Sequence, residues 1–195
     1  METGRGQIFD AIECVRFKAE VWLGKPVIVA GGAIRDALMG NEPKDIDLFV
    51  VGDVNTEMFP AEVEVLRDND ECLYRIFVRW EGDIDGHRVQ IMSHPAATGM
   101  EALCDCFDWD VCRFAWDGVS TFEGMKVADI GPGKTLNLHR VTFPASTLRR
   151  GFRIEERFGM KAARSTLQLI AMQFAMYGWR IDWAEAEKVH PYKAA

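Results

Sequence analysis

The sequence has no apolar run approaching the roughly 18 residues that a membrane-spanning helix requires. Its first residues, Met1–Gln7, lack the basic start and apolar core of a secretory signal. A cytoplasmic protein with no membrane partner is expected. Cysteine is sparse, five in 195 residues, and an odd number in a chain with an ample core argues against a disulfide scaffold. Cys104, Cys106 and Cys112 lack the two-plus-two spacing of a zinc knuckle, and the four histidines are scattered. There is no internal repeat, no linker rich in Gly, Ser or Pro, and no Gly-x-Ser-x-Gly nucleophile elbow. What is present is 48% hydrophobic and 27% charged residues, the composition of one folded domain with at most a short appendage.

Basic residues are outnumbered, 23 against 30 acids, but unevenly. Arg140 to Arg164 holds seven basic residues and two acids, a net of +5, which leaves −12 for the remainder. Such asymmetry suits a scaffold with a local anion site, and equally a solvated helix face.

Apolar spacing (Ile8, Ile12, Val15, Phe17, Val21) predicts a helix over Ile8–Trp22. Pro26–Ala30 reads as a buried strand, and AIRDALM after Gly31-Gly32 as a helix stopping at Gly40. Lys44–Val51 is a strand and Thr56–Arg67 a helix. Cys72–Trp80 and His87–Met92 form a hairpin around a slightly long loop, Gly82–Gly86. Ala97–Cys106 is helical, and a second hairpin within 107–123 turns at Asp117-Gly118. Gly131-Pro132-Gly133 is a loop; the P-loop likeness of Ala128–Thr135 fails because no helix pattern follows it. Helix returns over Pro144–Gly178 with a break at Gly159. The order predicts an α/β (α+β) fold, a mixed β-sheet flanked by helices with a helical C-terminal extension. Residues 1–143 would form the head and 144–195 an extension packed on it, basic at its start.

Val27 to Val50 carries the chemistry. A strand enters a Gly-Gly turn whose missing side chains let a ligand approach the backbone. The next helix presents free N–H groups to an anion, and Arg35 is within reach of a phosphate. Asp45 and Asp47 alternate on the following strand, so both face one way, about 7 Å apart at Cα. Paired carboxylates beside a phosphate cradle, with few Cys or His, favour Mg2+ and metal-assisted phosphoryl or nucleotidyl transfer.

Gly31, Gly32, Ile34, Arg35, Asp36, Leu38, Gly40, Asp45 and Asp47 resemble the Gly-Gly-x-Val-Arg-Asp-x-Leu-Leu-Gly…Asp-x-Asp signature of the nucleotidyltransferase superfamily, the DNA polymerase beta-like fold. More narrowly the stretch is similar to the head domain of class II CCA-adding enzymes and bacterial poly(A) polymerases. In length the chain is similar to small single-domain phage nucleotidyltransferases. Asp108–Ala115 looks like the family's Asp-Phe-Thr-Ile-Asn-Ala-Leu-Ala stretch, and Leu148–Gly159 like its Arg-rich helix ending in Arg-Phe-Gly. The resemblance implies that Asp45 and Asp47 are catalytic and hold Mg2+. It implies that Gly31, Gly32, Arg35, Asp108, Arg150 and Arg153 bind the substrate NTP, such as ATP, with Asp108 meeting its ribose or base. An RNA acceptor, tRNA-like, would lie along Arg149, Arg150, Arg153 and Arg157. The implied reaction moves an NMP to a hydroxyl, such as an RNA 3′ end, and releases pyrophosphate.

The departures are specific. The family's third carboxylate position holds Gln90, its paired arginines before the Asp-Phe-Thr stretch are Cys106 and Phe107, and its Asn is Cys112. The base-reading Glu-Asp-x-x-Arg motif is missing at Phe143–Thr147, so CCA specificity does not carry over. Two alternatives stay open: a nucleotide- or RNA-binding module impaired in catalysis, and a transferase acting on a protein or small-molecule acceptor.

Overall fold

The structure, a computed structural model, describes residues 2–52, 58, 64–65, 78–94, 97–141 and 144–177. Helix α1 spans Glu2–Leu23 and is followed by the buried strand β1, Val27–Ala30. α1 packs through Ile12, Val15, Ala19 and Leu23, at successive steps of three, four and four, which keep one face toward the sheet. This corrects the stripe read from sequence. Phe17 and Val21 lie on the opposite side of the wheel and are exposed.

After β1 come α2 (Gly32–Leu38), β2 (Ile46–Val50), β3 (Glu64–Val65), β4 (Val78–Ile84) and β5 (His87–Ser93). Helix α3 is Met100–Cys104, and β6 (Phe114–Trp116) and β7 (Thr121–Glu123) form the second hairpin as expected. These strands make one sheet in the order β3-β4-β5-β2-β1-β6-β7. Its strand pairs are antiparallel except β2 with β5, so the sheet is mixed. The helix expected over Thr56–Arg67 is contradicted at Glu64–Val65, which pairs with Arg79 and Val78. Apart from Met58, the rest of that span lies outside the described residues, as does the expected strand start at Cys72.

The first hairpin also differs. β4 runs on to Ile84 and turns through Asp85 and Gly86 alone, at φ 55° and 80°. Two consecutive positive φ values define a tight Asp-Gly turn whose twist matches that of its strands. The slightly long loop expected from Gly82 is therefore strand as far as Ile84. That detail fixes the register Glu81↔Gln90.

The two sheet faces bury separate sets of residues. Val27, Val29, Ile46, Leu48, Val89 and Ile91 belong to the main cluster, with α1, α2 and α4 packed upon it. Ile28, Ala30, Phe49 and Met92 face the other way with α3. Strand alternation therefore places Asp47 and Gln90 on this second face.

Two short parallel strands, β8 (Thr135–Leu136) and β9 (Lys161–Ala162), bracket helix α4, Pro144–Phe158. α5 follows as Arg164–Tyr177. Gly159 breaks the helix as expected, with φ 66°, and its carbonyl accepts from the Gly133 N–H. α4 turns Thr147, Gly151, Ile154 and Phe158 inward. Gly151 is required there because a Cβ would lie 2.6 Å from the Trp109 indole, whose Nε1–H donates to the Thr147 carbonyl at 2.9 Å.

Candidate active site

β1 delivers the chain to Gly31, whose φ of 86° and ψ of −140° suit glycine. Gly31 N–H donates to the Phe114 carbonyl at 2.7 Å, so the turn is pinned to β6. Ala30 pairs with Asp47 across β1 and β2, and a Cβ on Gly31 would stand 3.8 Å from Asp47 Oδ2. The glycine turn and this carboxylate thus meet at one end of the sheet. Asp45 lies exposed two residues before Asp47 but outside β2, so the strand expected from Lys44 begins only at Ile46 and its alternation does not reach Asp45.

Across β5 and β4 the row continues. Asp47 pairs with Gln90, and Gln90 with Glu81, whose carboxylate accepts the Gln90 Nε2–H at 2.7 Å. Glu81 was missed by sequence reasoning. Its signal was the Asp85-Gly86 dipeptide, which sets the register that brings it opposite Gln90.

Arg35 points inward. Only 5% exposed, it donates through Nε and Nη2 to Asp36 Oδ1 at 2.9 and 2.8 Å. Its Nη1 reaches the Val111 carbonyl at 3.4 Å, and its guanidinium stacks over Phe158 at 4.8 Å. The same group approaches 3.1 Å from where a Cβ of Gly32 would stand, so it underlies the glycine turn. Arg157 comes from α4 to take the other oxygen of Asp36 at 2.9 Å and shares the Phe158 ring. Asp36 therefore lies between two guanidiniums, and this fastens α4 to the glycine turn.

A second fastening joins Arg150 to Asp108 at 2.7 Å, with Asp108 also accepting from the Trp109 N–H at 3.0 Å. Asp108 is buried, and both of these contacts engage Oδ1. Arg149 and Arg153 are on the exposed side of α4, flanking exposed Phe152. Of the arginines associated with an acceptor, Arg150 and Arg157 are thus turned to the protein's own carboxylates.

The thiols nearby are held protonated. Burial pushes Cys104 up to about 12 and Cys112 up to about 11, so neither supplies a thiolate near neutral pH. Burial also pushes the His94 imidazole down.

Among the described residues no group of three or more His, Cys, Asp or Glu is placed to hold a metal ion. Of the oxygen donors expected to hold a metal, Asp47 stands at the glycine turn with Gln90 beside it on β5, while Asp45 lies exposed just before β2. That oxygen-only, incomplete set fits Mg2+, which keeps several waters and takes one or two carboxylates plus substrate phosphates.

The chain is similar to solved structures of CCA-adding enzymes. It matches one in complex with ATP at 19% identity and a TM-score of 0.57, covering 90% of this chain and 45% of that one. A complex with CTP matches at 20% identity and 0.56, over 88% and 42%. The Thermotoga maritima CCA-adding enzyme bound to tRNA matches at 20% identity and 0.53, over 80% and 38%. The chain therefore has a nucleotidyltransferase-like fold and spans less than half the length of these proteins. No curated protein matches it. Residues 9–125, which carry most of α1, the glycine turn, both aspartates and Gln90, match the Gad2 family model, described as Gabija anti-defense 2 family protein. With that match spanning more than half of its length, the chain belongs to the Gabija anti-defense 2 family.

Proposed function

We propose that this chain is a Mg2+-dependent nucleotidyltransferase that moves an NMP from an NTP to a hydroxyl acceptor, in the service of the anti-defense role its family name carries. The observation that carries the reading is the meeting of Gly31 with Asp47, where a Cβ would stand 3.8 Å from the carboxylate oxygen. A phosphate lying on a bare glycine backbone there is beside the carboxylates that would hold the metal.

In this mechanism Gly31 and Gly32 leave room for the triphosphate, and Arg35 supplies positive potential from beneath the turn. Asp45 and Asp47, with the Gln90 carbonyl, would hold Mg2+, which supplies charge neutralisation of the phosphates when bound. The acceptor hydroxyl gives up its proton to solvent and attacks the α-phosphate in line, and the bond to pyrophosphate breaks as that group leaves; positioning and charge stabilisation supply the catalysis. Asp108, locked by Arg150, is proposed to shape the nucleoside side of the pocket, with Arg153 at its rim. The class II head assignment, the division at residue 143 and a cytoplasmic setting belong to the same proposal. Among the described residues no helix is long and apolar enough to cross a membrane.

The acceptor has two readings. An RNA would run along Arg149, Arg150, Arg153 and Arg157. The pairing of Arg150 with Asp108 and of Arg157 with Asp36 favours the second, a protein or small-molecule acceptor, since fewer cations are left to contact phosphates.

The test incubates the chain with Mg2+, each α-labelled NTP, total RNA and cell extract, with Asp47→Asn alongside. Label is expected in a protease- or nuclease-sensitive product and absent with the variant. Binding of NTP without transfer would favour the impaired-binder alternative, and neither binding nor transfer would overturn the reading.

A further inference from the structure

The geometry points to Glu81 as a positioning residue that orients the Gln90 amide, so that an amide oxygen takes the place of a third metal-binding carboxylate. The inference rests on the nucleotidyltransferase reading above and adds to it how a site lacking that carboxylate holds a cation.

A glutamine presents two unlike ends. Its carbonyl oxygen can ligate a cation, whereas its NH2 group repels one. At a metal site Gln90 is useful in one orientation only, and a free side chain would sample both. The neighbour that decides is Glu81. An ionised carboxylate only accepts hydrogen bonds, so it captures the NH2 group and cannot pair with the carbonyl. The contact is short, 2.7 Å from Gln90 Nε2 to Glu81 Oε1.

Strand order then fixes the direction of the other end. β5 lies between β4, which carries Glu81, and β2, which carries Asp47. Glu81↔Gln90 and Gln90↔Asp47 are direct register partners, so the three side chains form one row on one face. With its nitrogen held toward β4, Gln90 has its carbonyl oxygen left for the β2 side, where Asp47 stands. A charge-assisted hydrogen bond to the nitrogen also draws electron density onto that oxygen and makes it a better donor. The negative charge normally provided by a third ligand is set one strand further out and acts through the amide. Arg88 approaches the other Glu81 oxygen at 3.9 Å, but both groups are exposed and that pair contributes little to the arrangement.

The experiment uses the full chain and Mn2+ alone, with bound and free ion distinguished by electron paramagnetic resonance. Outer-shell partners of metal ligands are worth about 10–100-fold in affinity. Glu81→Ala is therefore expected to weaken Mn2+ binding about tenfold, because the amide is freed to turn. Gln90→Ala should weaken it similarly, and adding Glu81→Ala to Gln90→Ala should cost nothing more. The decisive variant is Glu81→Ala combined with Gln90→Glu. A carboxylate has no wrong end, so this pair is expected to bind Mn2+ as tightly as the unaltered chain or more tightly. A purely structural role for Glu81 predicts no such rescue. Unchanged binding in Glu81→Ala, or failure of the rescue, overturns the inference. Asp47→Asn separates it from its parent reading: loss of Mn2+ in Asp47→Asn with none in Glu81→Ala sinks the positioning role alone, whereas unchanged binding in Asp47→Asn sinks both.

Discussion

Replacing Asp36 by Asn tests whether the buried ion triad fastens the glycine turn. Asp36 is 2% exposed and Arg35 5%, with two contacts of 2.8–2.9 Å between them. Removing one partner of a buried pair costs about 3–5 kcal/mol, because the remaining charge is left uncompensated. The Arg157 arm is 38% exposed on the arginine side and is screened by solvent, so it adds at most about 1 kcal/mol. Asn keeps one carbonyl acceptor for Arg35, which places the total near the lower limit, about 3 kcal/mol. In a chain of 195 residues each kcal/mol moves the melting point by about 2–4 °C, giving a drop of about 6–12 °C. Thermal melting and urea unfolding followed by tryptophan fluorescence would measure it, with the urea midpoint falling and the slope unchanged. Arg157→Ala serves as the calibrating variant and should lose no more than about 1 kcal/mol. A melting point for Asp36→Asn within about 2 °C of the unaltered chain would refute the account of a buried triad.

Two further substitutions test the attachment of α4. Gly151→Ala gains about 1 kcal/mol of helix propensity but sets a methyl group 2.6 Å from a fully buried indole. Overpacking of that kind costs about 1–3 kcal/mol, so a net loss of up to about 2 kcal/mol is expected in urea unfolding, and a stabilised variant would show that Trp109 can retreat. Glu155 accepts from the Ala162 N–H at 2.7 Å and pairs with Lys161, and these hold its carboxyl below the usual range. A depressed folded-state value means stability that is present above about pH 4.5 and lost as pH falls through the lowered value. The melting-point advantage over Glu155→Gln should therefore narrow between pH 6 and pH 3, and a constant advantage would contradict it.

The sequence made the local frame legible because its signals are local. The entry of β1 into Gly31-Gly32, the strand that carries Asp47, the Asp117-Gly118 turn and the break at Gly159 each depend on a few neighbouring residues. The face of α1 was misread because Phe17 and Val21 are apolar without being buried, and hydrophobicity alone does not say which arc of a wheel finds a sheet. Whether Arg150 and Arg157 meet an acceptor or acids of the head was not legible, because their partners, Asp108 and Asp36, are 42 and 121 residues away. The position of Glu81 beside Gln90 was equally hidden: it needs both the hairpin register and the knowledge that β5 inserts between β4 and β2.

The clasp between Arg157 and Asp36 has a consequence for the order of events during synthesis. The Gly-Gly turn and both aspartates emerge early, yet the guanidinium that closes over Asp36 comes 121 residues later. Closing a span of that length costs about 2 kcal/mol more in chain entropy than closing one a tenth as long. The growing chain would thus hold its Gly-Gly and Asp-x-Asp residues through the synthesis of everything between them and α4 before the turn is secured from behind. A nascent chain stopped short of α4 would display the whole signature with the buried Arg35–Asp36 pair still missing its third member. Competence would arrive late and in one step, with the helix that lies beyond the family-matched residues 9–125.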